Sequence, residues 1–137
     1  MAEAAKEFLK GVVVKVVHGD ILESLPPGYD THLFCDTIHM FDRPAAVEIL
    51  KNSFAALPPN GTILLSNAIV DDCGTGPRNA VYFYVFMFLT GAGRSYRPVD
   101  FCAMLEEAGF TNVHFRPYYS HYTLISAKKP NDACVNK

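Results

Sequence analysis

With 137 residues, half of them apolar and 19% charged, the chain is long enough for one domain around a single buried core and too apolar to be disordered. A formal net charge of -2 offers no basic surface for nucleic acid or an anionic membrane, and the longest apolar run, 80–89, is about half of a bilayer crossing. Cys35, Cys73, Cys102 and Cys134 form no CxxC pair, and the charged N-terminus lacks the apolar core of a signal peptide. The expectation is therefore a cytoplasmic protein with no disulfide framework, no metal, no nucleic-acid partner and no membrane partner.

In chain order, Ala2–Lys10 carries an amphipathic helical pattern with Gly11 placed to end it. Val12–Val17, β-branched and interrupted only by Lys15, predicts a strand that runs into a His18-Gly19-Asp20 turn. Beyond Pro26-Pro27-Gly28, Tyr29–Ile38 predicts a second strand. Pro44 suits the first turn of a helix over Ala45–Leu57, whose apolar positions Val47, Ile49, Leu50, Phe54 and Leu57 share a face. Pro58-Pro59-Asn60-Gly61 predicts a tight turn, and the continuous apolar run Thr62–Val70 predicts a strand buried on both faces, as in a parallel sheet. After a polar loop, Arg78–Thr90 reads as a helix apolar almost all round, which implies burial; Gly91-Ala92-Gly93 breaks it. Pro98–Ala108 predicts a further helix with Phe101, Met104 and Leu105 inward. Asn112–Pro117 and His121–Ala127 predict an antiparallel hairpin, and residues 130–137 a frayed tail. This order implies an open α/β sheet in one domain spanning residues 1–137, with ligands gathered at the carboxyl ends of the strands.

Five stretches then stand in a telling order: His18-Gly19-Asp20-Ile21, Tyr29-Asp30 through Ile38-His39, Ala56-Leu57-Pro58-Pro59-Asn60-Gly61, Glu107-Ala108-Gly109-Phe110, and Tyr122 through Lys129. Together they make the chain resemble the C-terminal half of class I S-adenosylmethionine-dependent O-methyltransferases of the plant phenolic, acetylserotonin and bacterial polyketide type. The resemblance implies a partial Rossmann-like α/β sheet with helices on both faces and a C-terminal antiparallel hairpin. It also implies that the first two family strands, with their glycine-rich donor loop, and the helical dimerisation domain have no counterpart here. By the same resemblance Asp20 meets the donor's adenine amine, Ile21 lies against the ring, and the strand end at Cys35 borders the sulfonium. His39 takes the position of the general base that deprotonates the acceptor hydroxyl, and Tyr82, Phe83, Phe86 and Met87 lie on the helix that walls the acceptor. Imidazole suits proton abstraction near neutrality, and aromatic and thioether side chains suit a flat, greasy acceptor.

Departures from the family pattern accompany the matches. Met40 stands where many relatives have an acid, Asn67 replaces an acid that partners the histidine, and Ser95 falls at a second glutamate. The expected function is the acceptor-side part of an O-methyltransferase acting on a small aromatic or polyketide hydroxyl. Weak or no binding of S-adenosylmethionine is expected for the isolated chain, with a companion chain or second copy covering the strand edge at 29–38. Two alternatives remain: a non-catalytic binding or dimerisation protein, and a methyltransferase fold repurposed for another reaction such as cyclisation. Each site residue also has a plainer reading: a loop-capping histidine at His39, an ordinary turn at Asp20, buried packing for Tyr82–Met87, and a small buried residue at Cys35. Asp36, His39 and Asp42 form a weak metal pattern only.

Overall fold

The computed structural model describes residues 2–91 and 93–131. Its secondary elements are α1 (Ala2–Phe8), β1 (Thr31–Cys35), a 3-10 turn at Ile38–Met40, α2 (Arg43–Ala56), β2 (Thr62–Ala68), α3 (Arg78–Thr90), α4 (Pro98–Glu107), β3 (Thr111–Tyr119) and β4 (Tyr122–Lys128). The strands form one mixed sheet in the order β1-β2-β4-β3, with β1 and β2 parallel and the other pairs antiparallel. This is the expected α/β architecture with a C-terminal hairpin. The predicted tail survives only as residues 130 and 131; the rest of it, including Cys134, lies outside the described residues.

Local chemistry explains the boundaries. Asp42 caps α2 by accepting from the Ala45 amide at 3.0 Å, and Pro44 stands in the first turn, where its missing N–H costs nothing. The helix ends where Pro58-Pro59 cannot continue it, and Asn60 takes φ 63 so that the Gly61 amide can reach the Pro58 carbonyl at 2.9 Å. Pro98 opens α4, and Asp100 folds back to accept from the Arg97 amide at 3.0 Å. Lys129 closes the other end of the layer: its Nζ donates to the carbonyls of Phe54 at 2.8 Å and Leu57 at 2.7 Å, and sits 4.7 Å over the Phe54 ring. One cation thereby satisfies C-terminal carbonyls of α2 and ties that helix to the end of β4.

The core fills the space between the sheet and the pair α2 and α4. Phe34, Ile63, Leu65, Ile125 and Ala127 from the strands meet Ala46, Val47, Leu50, Phe101, Met104 and Leu105 from the helices. Burial of each large apolar side chain contributes about 1.5–3 kcal/mol. On β1 the even positions face this layer, and His32 Nδ1 lies 2.8 Å from Ser53 Oγ on α2. The odd positions Thr31, Leu33 and Cys35 face out.

Three expectations need correction. Val12–Val17 forms no strand; it is bend and coil, with Val12, Val13, Val14 and Val17 exposed. β-Branched residues favour a pleated surface only when a neighbouring strand receives their amides, and β1 pairs with β2 alone. Helix α3 forms at the predicted residues, but only Ala80 and Met87 of its described side chains are buried. Phe88 and Leu89 are 75% and 76% exposed, so its apolar circumference is not absorbed by this chain's own core. Cys35 is exposed rather than buried, because strand alternation puts it in the outward row with Leu33.

Candidate active site

The parallel strands β1 and β2 end side by side, and the chain that leaves β1 turns sharply. Asp36 adopts φ 49 while its amide still bonds the Ser66 carbonyl of β2 at 2.9 Å. The 3-10 turn that follows lifts His39 over the end of β2. There the side chain is 7% exposed, with Nδ1 3.3 Å from Asn67 Oδ1 and the ring packed edge-on against Phe83 of α3 at 5.0 Å between centroids. An amide oxygen can only accept, so the proton rests on Nδ1 and Nε2 is left as the basic nitrogen.

Asn67 was expected to leave the histidine without its partner. Instead it keeps the contact as a neutral amide, which orients the ring but adds no negative charge beside an imidazolium. Its own Nδ2 is buried with no hydrogen-bond partner, a cost of about 1–3 kcal/mol at the floor of the site. The nearest acid is Asp36, whose Oδ1 lies 3.9 Å from His39 Nδ1 and whose Oδ2 accepts from the Tyr122 hydroxyl at 3.1 Å. Desolvation, reinforced by that carboxylate, raises the Tyr122 phenol above its ordinary pKa and keeps it a donor. From outside, the loop after α3 holds the histidine's backbone: the Arg94 amide donates to the His39 carbonyl at 2.8 Å, and a Cβ at Gly93 would overlap that oxygen. Gly93, at φ 80, is therefore required both by its conformation and by this close approach.

Of the other predicted residues, Phe83 joins the cluster through His39, and its ring also neighbours Phe86 at 6.5 Å and His121 at 6.4 Å. Met87 is buried on the same helix. Tyr82 is 62% exposed and lies under the Arg78 guanidinium at 5.9 Å, so it is not drawn into the cluster. Asp20 is exposed and its carboxylate accepts from the Leu22 amide at 2.9 Å, an Asx-type turn that leaves Oδ2 without a recorded bond. Ile21 packs against the core beside Leu25, and its carbonyl accepts from Asn52 of α2 at 3.1 Å. Tyr122 at the start of β4 and His121 in the turn before it, which complete the surroundings of His39, were not singled out as site residues, and no local signal distinguishes them from strand residues. Among the described residues, no group of three or more His, Cys, Asp or Glu is placed to hold a metal. Asp42 is spent on its helix cap.

The donor implied by the resemblance can be tested against these residues. Enclosing a nucleoside requires backbone that approaches it closely, normally a glycine turn between a strand and a helix. Before β1 the described residues form no such turn: Gly19 has no atom within 4 Å of a notional Cβ and leads into a short turn with no strand before it and no helix after it. Asp20, Ile21 and Cys35 supply at most a border, so the described residues do not fit the whole group.

Comparison with known proteins agrees with this partial picture. Residues 1–111 match the family model described as the O-methyltransferase domain. The chain is 27% identical over 116 residues to acetylserotonin O-methyltransferase of Mus musculus, covering 84% of this chain and 30% of that protein. It is 33% identical over 91 residues to 3-hydroxy-5-methyl-1-naphthoate 3-O-methyltransferase of Streptomyces sahachiroi, covering 66% of this chain and 26% of that protein. Its fold matches the crystal structure of human N-acetylserotonin methyltransferase in complex with SAM at a TM-score of 0.79 and 22% identity, over 84% of this chain and 33% of that one. The chain thus spans between 26% and 33% of the length of these relatives.

Proposed function

Because the chain belongs to the O-methyltransferase domain family, we propose that it is the acceptor-side part of an S-adenosylmethionine-dependent O-methyltransferase and works with a companion chain or segment. The observation that carries this reading is His39: buried, oriented through Nδ1 by Asn67, packed by Phe83, and set at the carboxyl end of the parallel strands. S-adenosylmethionine, the methyl donor of this family, supplies an electrophilic methyl group when bound. The work assigned to this chain is on the other reactant. His39 Nε2 takes the proton of a small aromatic or polyketide hydroxyl, and Asn67 keeps the ring in the tautomer that allows it. Phe83, Phe86 and Met87 form the apolar wall for the acceptor, with Tyr82 at its outer rim. Asp20, Ile21 and Cys35 form one border of the donor site, whose remaining walls come from the companion. The isolated chain is accordingly expected to hold S-adenosylmethionine no more tightly than about millimolar.

A chimera tests the assignment. Residues 17–129 are grafted in place of the matching segment of the mouse acetylserotonin enzyme, and methyl transfer is measured with and without His39→Ala. Loss of about 100-fold or more in kcat upon the substitution is the expected result for a general base. Transfer that survives His39→Ala undiminished in an active chimera removes the proposal.

A second reading, a non-catalytic binding protein, is favoured by one observation: the aromatic face of α3 stands largely exposed. An active chimera that depends on His39 decides against it.

A further inference from the structure

On the far side of α3 from His39 lies a cavity of about 380 Å³, bounded by α3, the start of α4 and the loop after β2. Its lining includes Arg43, Arg94, Ser95, Arg97, Val81 and Tyr84, but not His39, Asn67 or Phe83. Val81 is two residues, about 200° of helical turn, from Phe83, and Tyr84 is two from Phe86, so α3 separates the two sites.

The charges in this cavity are unequally satisfied. Arg43 pairs with Glu107 at 2.8 Å, and Arg97 forms a two-pronged pair with Asp100 at 3.0 and 3.1 Å. The Arg94 guanidinium has no hydrogen bond or ion pair among the described residues, and Asp100, the one acid among the described lining residues, is already held by Arg97. Asp42 and Asp72 act on Tyr96 and Arg97 from outside the lining. Beside Arg94, the Ser95 hydroxyl oxygen is fully buried and has no partner. A guanidinium fork without a partner is the group that a carboxylate satisfies with both oxygens. The rest of the wall, Val70, Val81 and Tyr84, is apolar or aromatic and suits a flat ring.

The geometry points to a binding site for a small aromatic carboxylate, its carboxylate on Arg94 and its ring against Val81 and Tyr84. This assignment stands on the cavity and is independent of the methyl-transfer reading. The site is nevertheless tied to His39, because the Arg94 amide donates to the His39 carbonyl at 2.8 Å.

The test is calorimetric titration of the 137-residue chain with 2-naphthoate, 2-naphthalenemethanol and inorganic phosphate. Saturable 1:1 binding of the naphthoate is expected, with the neutral alcohol at least about tenfold weaker and phosphate unable to displace the naphthoate at equal concentration. Arg94→Met should weaken naphthoate about tenfold and Arg94→Lys less, while Phe83→Ala leaves it unchanged. Arg94 is exposed, so its replacement spares the core, and unchanged circular dichroism confirms that each variant is folded. No naphthoate binding, equal affinity for the alcohol, or indifference to Arg94→Met overturns the carboxylate site. Displacement by equimolar phosphate reduces the site to a simple anion site and overturns the aromatic part. A loss in Phe83→Ala as large as in Arg94→Met moves the ligand to the His39 side and overturns the location.

Discussion

His39 owes its setting to contacts made by residues distant in the chain: Asn67, 28 positions away, the Phe83 ring, and the backbone of Gly93 and Arg94. Each restricts a different freedom of the imidazole, namely its tautomer, its ring plane and its position. A second histidine, His32, shows what burial alone does. It faces α2 from β1, and desolvation lowers its pKa below the usual 6.5. Above that value His32 is neutral in both the folded and the unfolded chain and costs nothing. As pH falls through 6.5 the unfolded chain takes up the proton first, so stability declines until the lower folded value is passed. Urea unfolding at about pH 7.5 and about pH 5.5 should therefore show a drop in midpoint that shrinks in His32→Gln. Equal drops in the two proteins would show that His32 does not contribute. The resemblance names His39, Phe83 and Asn67, and these three side chains meet in the fold. Their relations were not legible in the sequence, because a side chain's partner depends on which strands and helices meet.

At the level of elements, α3 and the segment 12–17 raise the same question, that of apolar sequence without a burying partner. The helix forms because its interior is free of Gly and Pro and because Gly91, at φ 71, ends it with a left-handed residue. Periodicity could place it but could not say how much of its circumference this chain covers. An exposed face bearing Val85, Phe86, Phe88 and Leu89 is adhesive in water. The double substitution Phe88→Glu with Leu89→Lys should lower the concentration-dependent sedimentation of the chain while changing its unfolding free energy by no more than about 0.5 kcal/mol. Undiminished association would place the sticky surface elsewhere. The edge of β1 is the other candidate, with Leu33 59% exposed beside unpaired backbone. The expected companion over that edge remains a proposal, and this pair of measurements separates it from α3.

Across the whole molecule, the layer formed by the sheet with α2 and α4 holds the core, and the N-terminal stretch lies outside it. Of the described residues before β1, only Ile21 and Leu25 pack against the core. Removing residues 2–17 should therefore shift the unfolding free energy by less than about 1 kcal/mol, measured in denaturant. A loss of several kcal/mol would mean that Val12–Val17 has a burial partner after all. No helix of the described residues is long and apolar enough to cross a membrane.

The sequence by itself determined the elements whose signals are local: α3 from its apolar run and closing glycine, α4 from its proline start, the turn at Pro58–Gly61, and the hairpin from two β-rich runs with a short polar turn. It determined the family too, because ordered motifs survive when each alone is weak. Only the tertiary structure decided that Val12–Val17 stays unpaired, that Cys35 faces outward, that Asn67 still holds His39, and that Arg94 and Ser95 share a cavity with Tyr84. The physical reason is common to all four. A strand needs a partner's amides, a side chain's burial depends on what packs over it, and a polar site is made by groups that meet only after the chain has folded.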